Sequence, residues 1–106
     1  MITHITPTEL KARLDAGDRP TLLDVREGWE LDIARLEGVT HIPMNEVPER
    51  ITELDPSHDT VVLCRSGGRS LKVAEYLVRN GFVRVANLSG GILGWGEDVD
   101  PSLRAY

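Results

Sequence analysis

The chain of 106 residues holds a single cysteine, Cys64. One thiol excludes an intramolecular disulfide framework, a Cys-Cys metal motif and a resolving cysteine within the chain. Positive charge is also scarce. Twelve Lys and Arg stand against seventeen Asp and Glu, a formal net charge of −5, and apart from Arg65 and Arg69 the basic residues are scattered. That balance argues against nucleic acid as a partner. The chain has no long apolar run and no hydrophobic stretch after Met1, so neither a membrane span nor a secretory signal is expected. Cytoplasmic residence is the default expectation, and a reducing compartment suits a free thiol. The three histidines, His4, His41 and His58, lie far apart without ligand-like partners, so no metal site and no cofactor are expected. Internal repeats, low-complexity segments and interdomain linkers are missing, and one domain over 1–106 is the expectation at this length.

What the chain does have is an ordinary globular composition, 41% hydrophobic and 27% charged. Thr6-Pro7-Thr8-Glu9 reads as a helix start, with Thr6 as N-cap, Pro7 at the first helical position and Glu9 completing a capping box. Ile5 and Leu10 are spaced as a hydrophobic staple, and Gly17 marks the stop. Thr21 to Val25, Val39 to Ile42, Thr60 to Leu63 and Val83 to Ala86 read as short strands. Between them lie helical stretches: Glu27 to Ile33, Glu46 to Leu54, and the clearest, Gly68 to Arg79, with Leu71, Ala74, Leu77 and Val78 on one face. Ser89 is a candidate cap for a short helix from Gly91 to Trp95, and the tail from Glu97 is expected to be loose. Strands alternating with helices imply an α/β fold with a mainly parallel central sheet flanked by helices on both faces. Ligands of such sheets bind beyond the carboxyl ends of the strands, where Asp24 and Cys64 both fall.

The most informative stretch is Cys64-Arg65-Ser66-Gly67-Gly68-Arg69-Ser70. It places the thiol after a buried strand and before a helix start. Backbone N–H groups at a helix N-terminus favour negative charge, and nearby cations reinforce them. Such surroundings lower a cysteine pKa and make a reactive thiolate. Gly67 and Gly68 permit the close backbone approach that a cradle for one anion needs. Arg65 and Arg69 are candidates to hold an anionic substrate. One of them is also a candidate partner of Asp24. Ser66 and Ser70 can donate hydroxyl hydrogen bonds to sulfur, and Ser70 is equally a candidate helix cap. The reading requires amides turned toward the sulfur and an opening to bulk water.

Three ordered segments also resemble the rhodanese family. Leu22-Leu23-Asp24-Val25-Arg26-Glu27 with Glu30, then Gly38 and His41-Ile42-Pro43, looks like its amino-terminal signature. Val61 to Ser70 resembles its active-site loop, and Gly81-Phe82, Asn87 to Ile92 and Gly94-Trp95 resemble its carboxyl-terminal signature. The resemblance covers about Leu22 to Trp95. It implies a rhodanese-like, five-stranded domain. It also implies a thiosulfate sulfurtransferase-type enzyme that moves a sulfane sulfur from thiosulfate or another persulfide donor to cyanide or a thiol. Cys64 would carry the sulfur as a persulfide, with Arg65 to Ser70 binding substrate and Asp24 and Arg26 in support.

Partners are then a small-molecule donor and acceptor, with a protein sulfur acceptor as the alternative. Arg26 and Glu30 read first as scaffold pairing, and Trp29 and Trp95 as packing residues, either able to line the pocket mouth. A non-catalytic binding module is a weaker reading, since the cysteine is retained. Phosphatases and arsenate reductases that resemble rhodaneses separate cysteine and arginine by five residues. Here four residues lie between Cys64 and Arg69. The shorter loop suits one sulfur atom better than a tetrahedral phosphate.

Overall fold

Short runs buried on both sides build the centre of the sheet, as parallel strands covered by helices require. The computed structural model of the chain describes residues 2–103. Its strands are β1 (Ile2–Ile5), β2 (Thr21–Asp24), β3 (Thr40–His41), β4 (Thr60–Leu63) and β5 (Val85–Leu88). The helices are α1 (Pro7–Asp15), α2 (Gly28–Ile33), α3 (Val47–Arg50), α4 (Gly68–Arg79) and α5 (Gly91–Asp98). All four strand pairings are parallel, in the order β1-β5-β4-β2-β3.

Side-chain alternation along the strands sorts the interior into two cores. Leu23, Val25, Val62, Cys64 and Val85 face one side, where Val73, Ala74 and Leu77 of α4 and Val47 of α3 cover them. Leu22, Val61, Leu63, Ala86 and Leu88 face the other, under Leu10 of α1 and Trp95 of α5. Each fully buried aliphatic side chain contributes roughly 1.5–3 kcal/mol. The parity has a functional consequence: Cys64 and Asn87 point to the α4 side, whereas Asp24 shares parity with Leu22.

The α1 start matches its sequence signals. The Thr6 hydroxyl accepts the Glu9 N–H at 3.1 Å, the Glu9 carboxylate accepts the Thr6 N–H at 2.8 Å, and Ile5 and Leu10 are both buried in the second core. Elsewhere pairing moved the boundaries. Ile2–Ile5, not read as a strand, adds to the sheet edge along β5. The last strand begins two residues later than expected, at Val85, because Val83 is 62% exposed and Val85 is the first residue in register with Ile2 and Thr60. The expected helix from Glu46 to Leu54 is α3 between two tight 3-10 turns, Met44–Glu46 and Ile51–Glu53. The buried face of α4 is Ser70, Val73, Ala74 and Leu77, while Leu71 and Val78 are only half-buried. Helix α5 runs on to Asp98, so Glu97 is helical, and Leu103 packs on the second core. The rest of the expected loose tail, from Arg104, lies outside the described residues.

Candidate active site

Strand β4 ends at Leu63 and delivers Cys64 to the carboxyl edge of the sheet, on the α4 side. The chain then reverses over three residues into α4. Gly67, the N-cap, makes that reversal at φ +115°, a left-handed conformation that glycine adopts without a Cβ penalty. The turn brings the helix start over the sulfur. The Gly67 N–H donates to Cys64 Sγ at 3.1 Å and the Ser70 N–H at 3.4 Å. An α-helix leaves its first N–H groups without intrahelical acceptors. Here the sulfur takes that place, and no side chain caps α4. Ser70 instead turns its hydroxyl into the site, where it accepts from the Cys64 thiol at 3.3 Å and donates to Asn87 Oδ1 at 2.5 Å.

A second helix start clamps the loop from behind. The Ile92 N–H donates to the Cys64 carbonyl at 2.9 Å and the Leu93 N–H to the Arg65 carbonyl at 3.1 Å. Those carbonyls approach so closely that a Cβ on Gly91 would lie 2.5 Å from each. Only glycine fits. The expected Ser89 cap is therefore absent: the N-cap is Gly90, and main-chain carbonyls from the cysteine loop satisfy the first turn of α5.

Burial pushes the Cys64 thiol up, but hydrogen bonds outweigh it: the Ser70 hydroxyl and the N–H groups of Ser70, Gly67 and Ser66 hold it below its ordinary value. The amides thus point at the sulfur, as the sequence requires. The second requirement, an opening to bulk water, is not met in this conformation. Cys64 keeps only 1% of its surface, because the loop closes over Sγ while Val62 and Val73 pack in the same core. Of the loop residues, Ser66 and Gly68 are exposed, and Arg65, Gly67 and Arg69 half-exposed. A cleft of about 390 Å³ lies elsewhere, at the amino-terminal ends of β4 and β5, among Arg13, Asp59 and Arg84. Cys64 is not among its lining residues.

Arg69 does not pair with Asp24. Asp24 takes Arg26 instead, at 2.8 Å, with both side chains wholly buried. Arg26 also donates to the Ala34 carbonyl at 2.8 Å. Opposite strand parity is the reason: Asp24 faces away from Cys64. Arg69 forms a two-pronged pair with Glu30 of α2, at 2.7 and 2.9 Å. Its hydrogen bonds hold the Glu30 carboxyl below the usual range against the cost of burial. The scaffold pairs are thus Asp24–Arg26 and Glu30–Arg69, rather than Arg26–Glu30 alone. Trp95 is buried in the second core as expected, whereas Trp29 is 56% exposed on α2, one residue from Glu30. His41 Nε2 lies 2.7 Å from the Arg26 carbonyl and His58 Nε2 2.8 Å from that of Arg19. Among the described residues no three His, Cys, Asp or Glu side chains stand together as a metal site. None of the described helices is long and apolar enough to cross a membrane.

Sequence reasoning gave Asn87 no role in the site. It is 4% exposed, and its carboxamide joins Ser70 to the Gly67 carbonyl, which accepts from Nδ2 at 3.2 Å. One signal was available: a lone amide in the strand Val85-Ala86-Asn87-Leu88 must find buried partners.

A five-stranded parallel sheet that delivers one cysteine to the helix-start amides of Gly67 and Ser70 places the chain in a definite α/β domain class. The model of the rhodanese-like domain family matches residues 6–98, and the chain belongs to that family. It is 35% identical over 100 residues to the "Putative sulfurtransferase YtwF" of Bacillus subtilis, covering 94% of this chain and 96% of that protein. It is 42% identical over 93 residues to the chloroplastic "Rhodanese-like/PpiC domain-containing protein 12" of Arabidopsis thaliana, covering 84% of this chain but only 31% of that longer protein. The crystal structure of a rhodanese-like domain protein from Staphylococcus aureus superposes with a TM-score of 0.84 at 31% identity, over 92% of this chain and 94% of that one.

Proposed function

We propose that the protein is a sulfurtransferase that takes a sulfane sulfur from thiosulfate, or from another persulfide donor, onto Cys64 and passes it to a thiophilic acceptor such as cyanide or a thiol. The observation that carries the reading is Sγ at the start of α4, accepting the N–H groups of Gly67 and Ser70 and donating its own proton to the Ser70 hydroxyl. Attack needs a thiolate, and this ring of donors favours one. The thiolate attacks the outer sulfur of thiosulfate. A new S–S bond forms, the old one breaks, and sulfite leaves with its electron pair. The terminal persulfide is again an anion, and the N–H bonds from Gly67 and Ser70 to Sγ support assigning it to the 65–70 loop. An acceptor then attacks the outer sulfur and regenerates the thiolate. No general base is required once the thiol has ionised. Arg65, half-exposed on the loop, is assigned to drawing in the anionic donor. Arg69 is assigned mainly to holding the loop against α2, since Glu30 occupies its guanidinium. With Cys64 at 1% exposure, loading requires a movement that uncovers Sγ.

Mass spectrometry of the intact protein after exposure to thiosulfate tests this. The expected result is a gain of one sulfur atom, removed by cyanide and absent in Cys64→Ser, whose fold is unchanged. Turnover by Cys64→Ser near the parent rate overturns the reading. Loading by thiosulfate with discharge to a protein thiol but not to cyanide keeps Cys64 as the carrier and replaces the small-molecule acceptor with a protein one.

A further inference from the structure

We propose that Asn87 is a positioning residue that competes with Cys64 for the single hydroxyl proton of Ser70, and so sets how readily the thiol ionises. The carboxamide has a defined orientation. The Gly67 carbonyl can only accept, so the Asn87 atom facing it at 3.2 Å is the Nδ2 donor. That leaves Oδ1 toward Ser70, at 2.5 Å from Oγ. The serine hydroxyl has one proton and two claimants. While Cys64 is a thiol, its S–H donates to Ser70 Oγ at 3.3 Å and the serine proton rests on Asn87. When Cys64 ionises, the sulfur becomes a charged acceptor, and hydrogen bonds to ions are the stronger ones. The serine proton swings to Sγ. Asn87 Oδ1 is then stranded in a site where Asn87 is 4% exposed. Leaving a buried acceptor unpaired costs about as much as the hydrogen bond gained. Asn87 therefore opposes thiolate formation while its Nδ2 steadies Gly67, one of the residues whose N–H binds the sulfur.

The charged groups around Cys64 are Arg65 of the loop, Arg69 of α4 with Glu30 of α2 upon it, and the Asp24–Arg26 pair beyond β2. Strand β5 brings no charge, only Asn87, and the neighbouring β1 sets His4 in register with it. Removing the amide thus changes the hydrogen bonding and leaves the ion pairs in place.

The test is the pH dependence of Cys64 alkylation by iodoacetamide with no sulfur donor present, so the outcome does not depend on the sulfur-transfer reading. Asn87→Leu keeps the number and branching of the side-chain heavy atoms and removes both polar atoms. It is expected to lower the thiol pKa by about one unit, giving roughly tenfold more thiolate below the midpoint. Ser70→Ala is expected to raise it. In the Ser70→Ala background, Asn87→Leu is expected to lose its effect, because the hydroxyl through which it acts is gone. A purely structural role for Asn87 predicts the opposite sign, since a loosened Gly67 weakens the sulfur's donors. A raised or unchanged pKa in Asn87→Leu, or an equal shift with and without Ser70, overturns the proposal. The parent protein provides a check that needs no variant. The Asn87 carboxamide carbon resonance should titrate in step with the thiol, and a flat resonance also refutes the competition.

Discussion

Replacing Gly91 by alanine separates two effects that glycines often combine. Gly91 sits at φ +57°, where an L-residue costs about 1–2 kcal/mol. Its added Cβ would also meet the carbonyl oxygens of Cys64 and Arg65 at 2.5 Å, so both must move. Those carbonyls accept the N–H groups of Ile92 and Leu93. Losing two such bonds costs about 1 kcal/mol each, so Gly91→Ala should destabilise by about 3–4 kcal/mol. Against a typical total of about 5–15 kcal/mol, that is a large share. Gly81→Ala is the control. Gly81 also has positive φ, +89°, but nothing lies within 4 Å of its would-be Cβ. It should cost only the backbone strain, about 1–2 kcal/mol. Urea denaturation of both variants measures the difference directly, with m unchanged if the unfolded states match. Gly91→Ala should also disturb the cysteine loop and slow sulfur loading. Equal destabilisation by the two variants would refute the view that α5 clamps the loop through close approach at Gly91.

Glu30 should give the protein a distinct acid response. Its folded pKa is depressed, chiefly by hydrogen bonds from Arg69, so its contribution is present above the unfolded carboxylate value of about 4.3 and is lost as pH falls through the lower folded value. Denaturation midpoints measured across that acidic range should fall with pH in the parent and flatten in Glu30→Gln. Arg26→Met should cost about 3–5 kcal/mol by thermal or urea unfolding, because it strands the wholly buried Asp24 carboxylate. Adding Asp24→Leu to it should recover part of that loss, and simple additivity would show that the two are not coupled. The four-residue spacing between Cys64 and Arg69 predicts no hydrolysis of a phosphate ester above background, measured by release of the free alcohol.

Local chemistry made much of this protein legible from its residues. The capping box at Thr6 and Glu9 and the strand run Thr60–Leu63 before Cys64 depend on neighbours a few positions away. The loop's two glycines at the start of α4 do so as well. Such signals survive in a one-dimensional reading because the interacting groups are close along the chain. The weak strand Ile2–Ile5 lacks that property; it exists because β5 offers it an edge. The same limit governed the site. Arg69 finds Glu30 across 39 positions, and Ser70 finds Asn87 across 17. Strand parity, set only when the sheet is assembled, turned Asp24 away from the cysteine loop and toward Arg26. Enclosure of Cys64 is likewise a property of two helix starts meeting over one strand end. The residues thus determined which groups gather in the cysteine loop and what local backbone holds them. Tertiary packing decided which partner each charge meets and how far the sulfur is shut from water, because those choices depend on distances that the chain order does not encode.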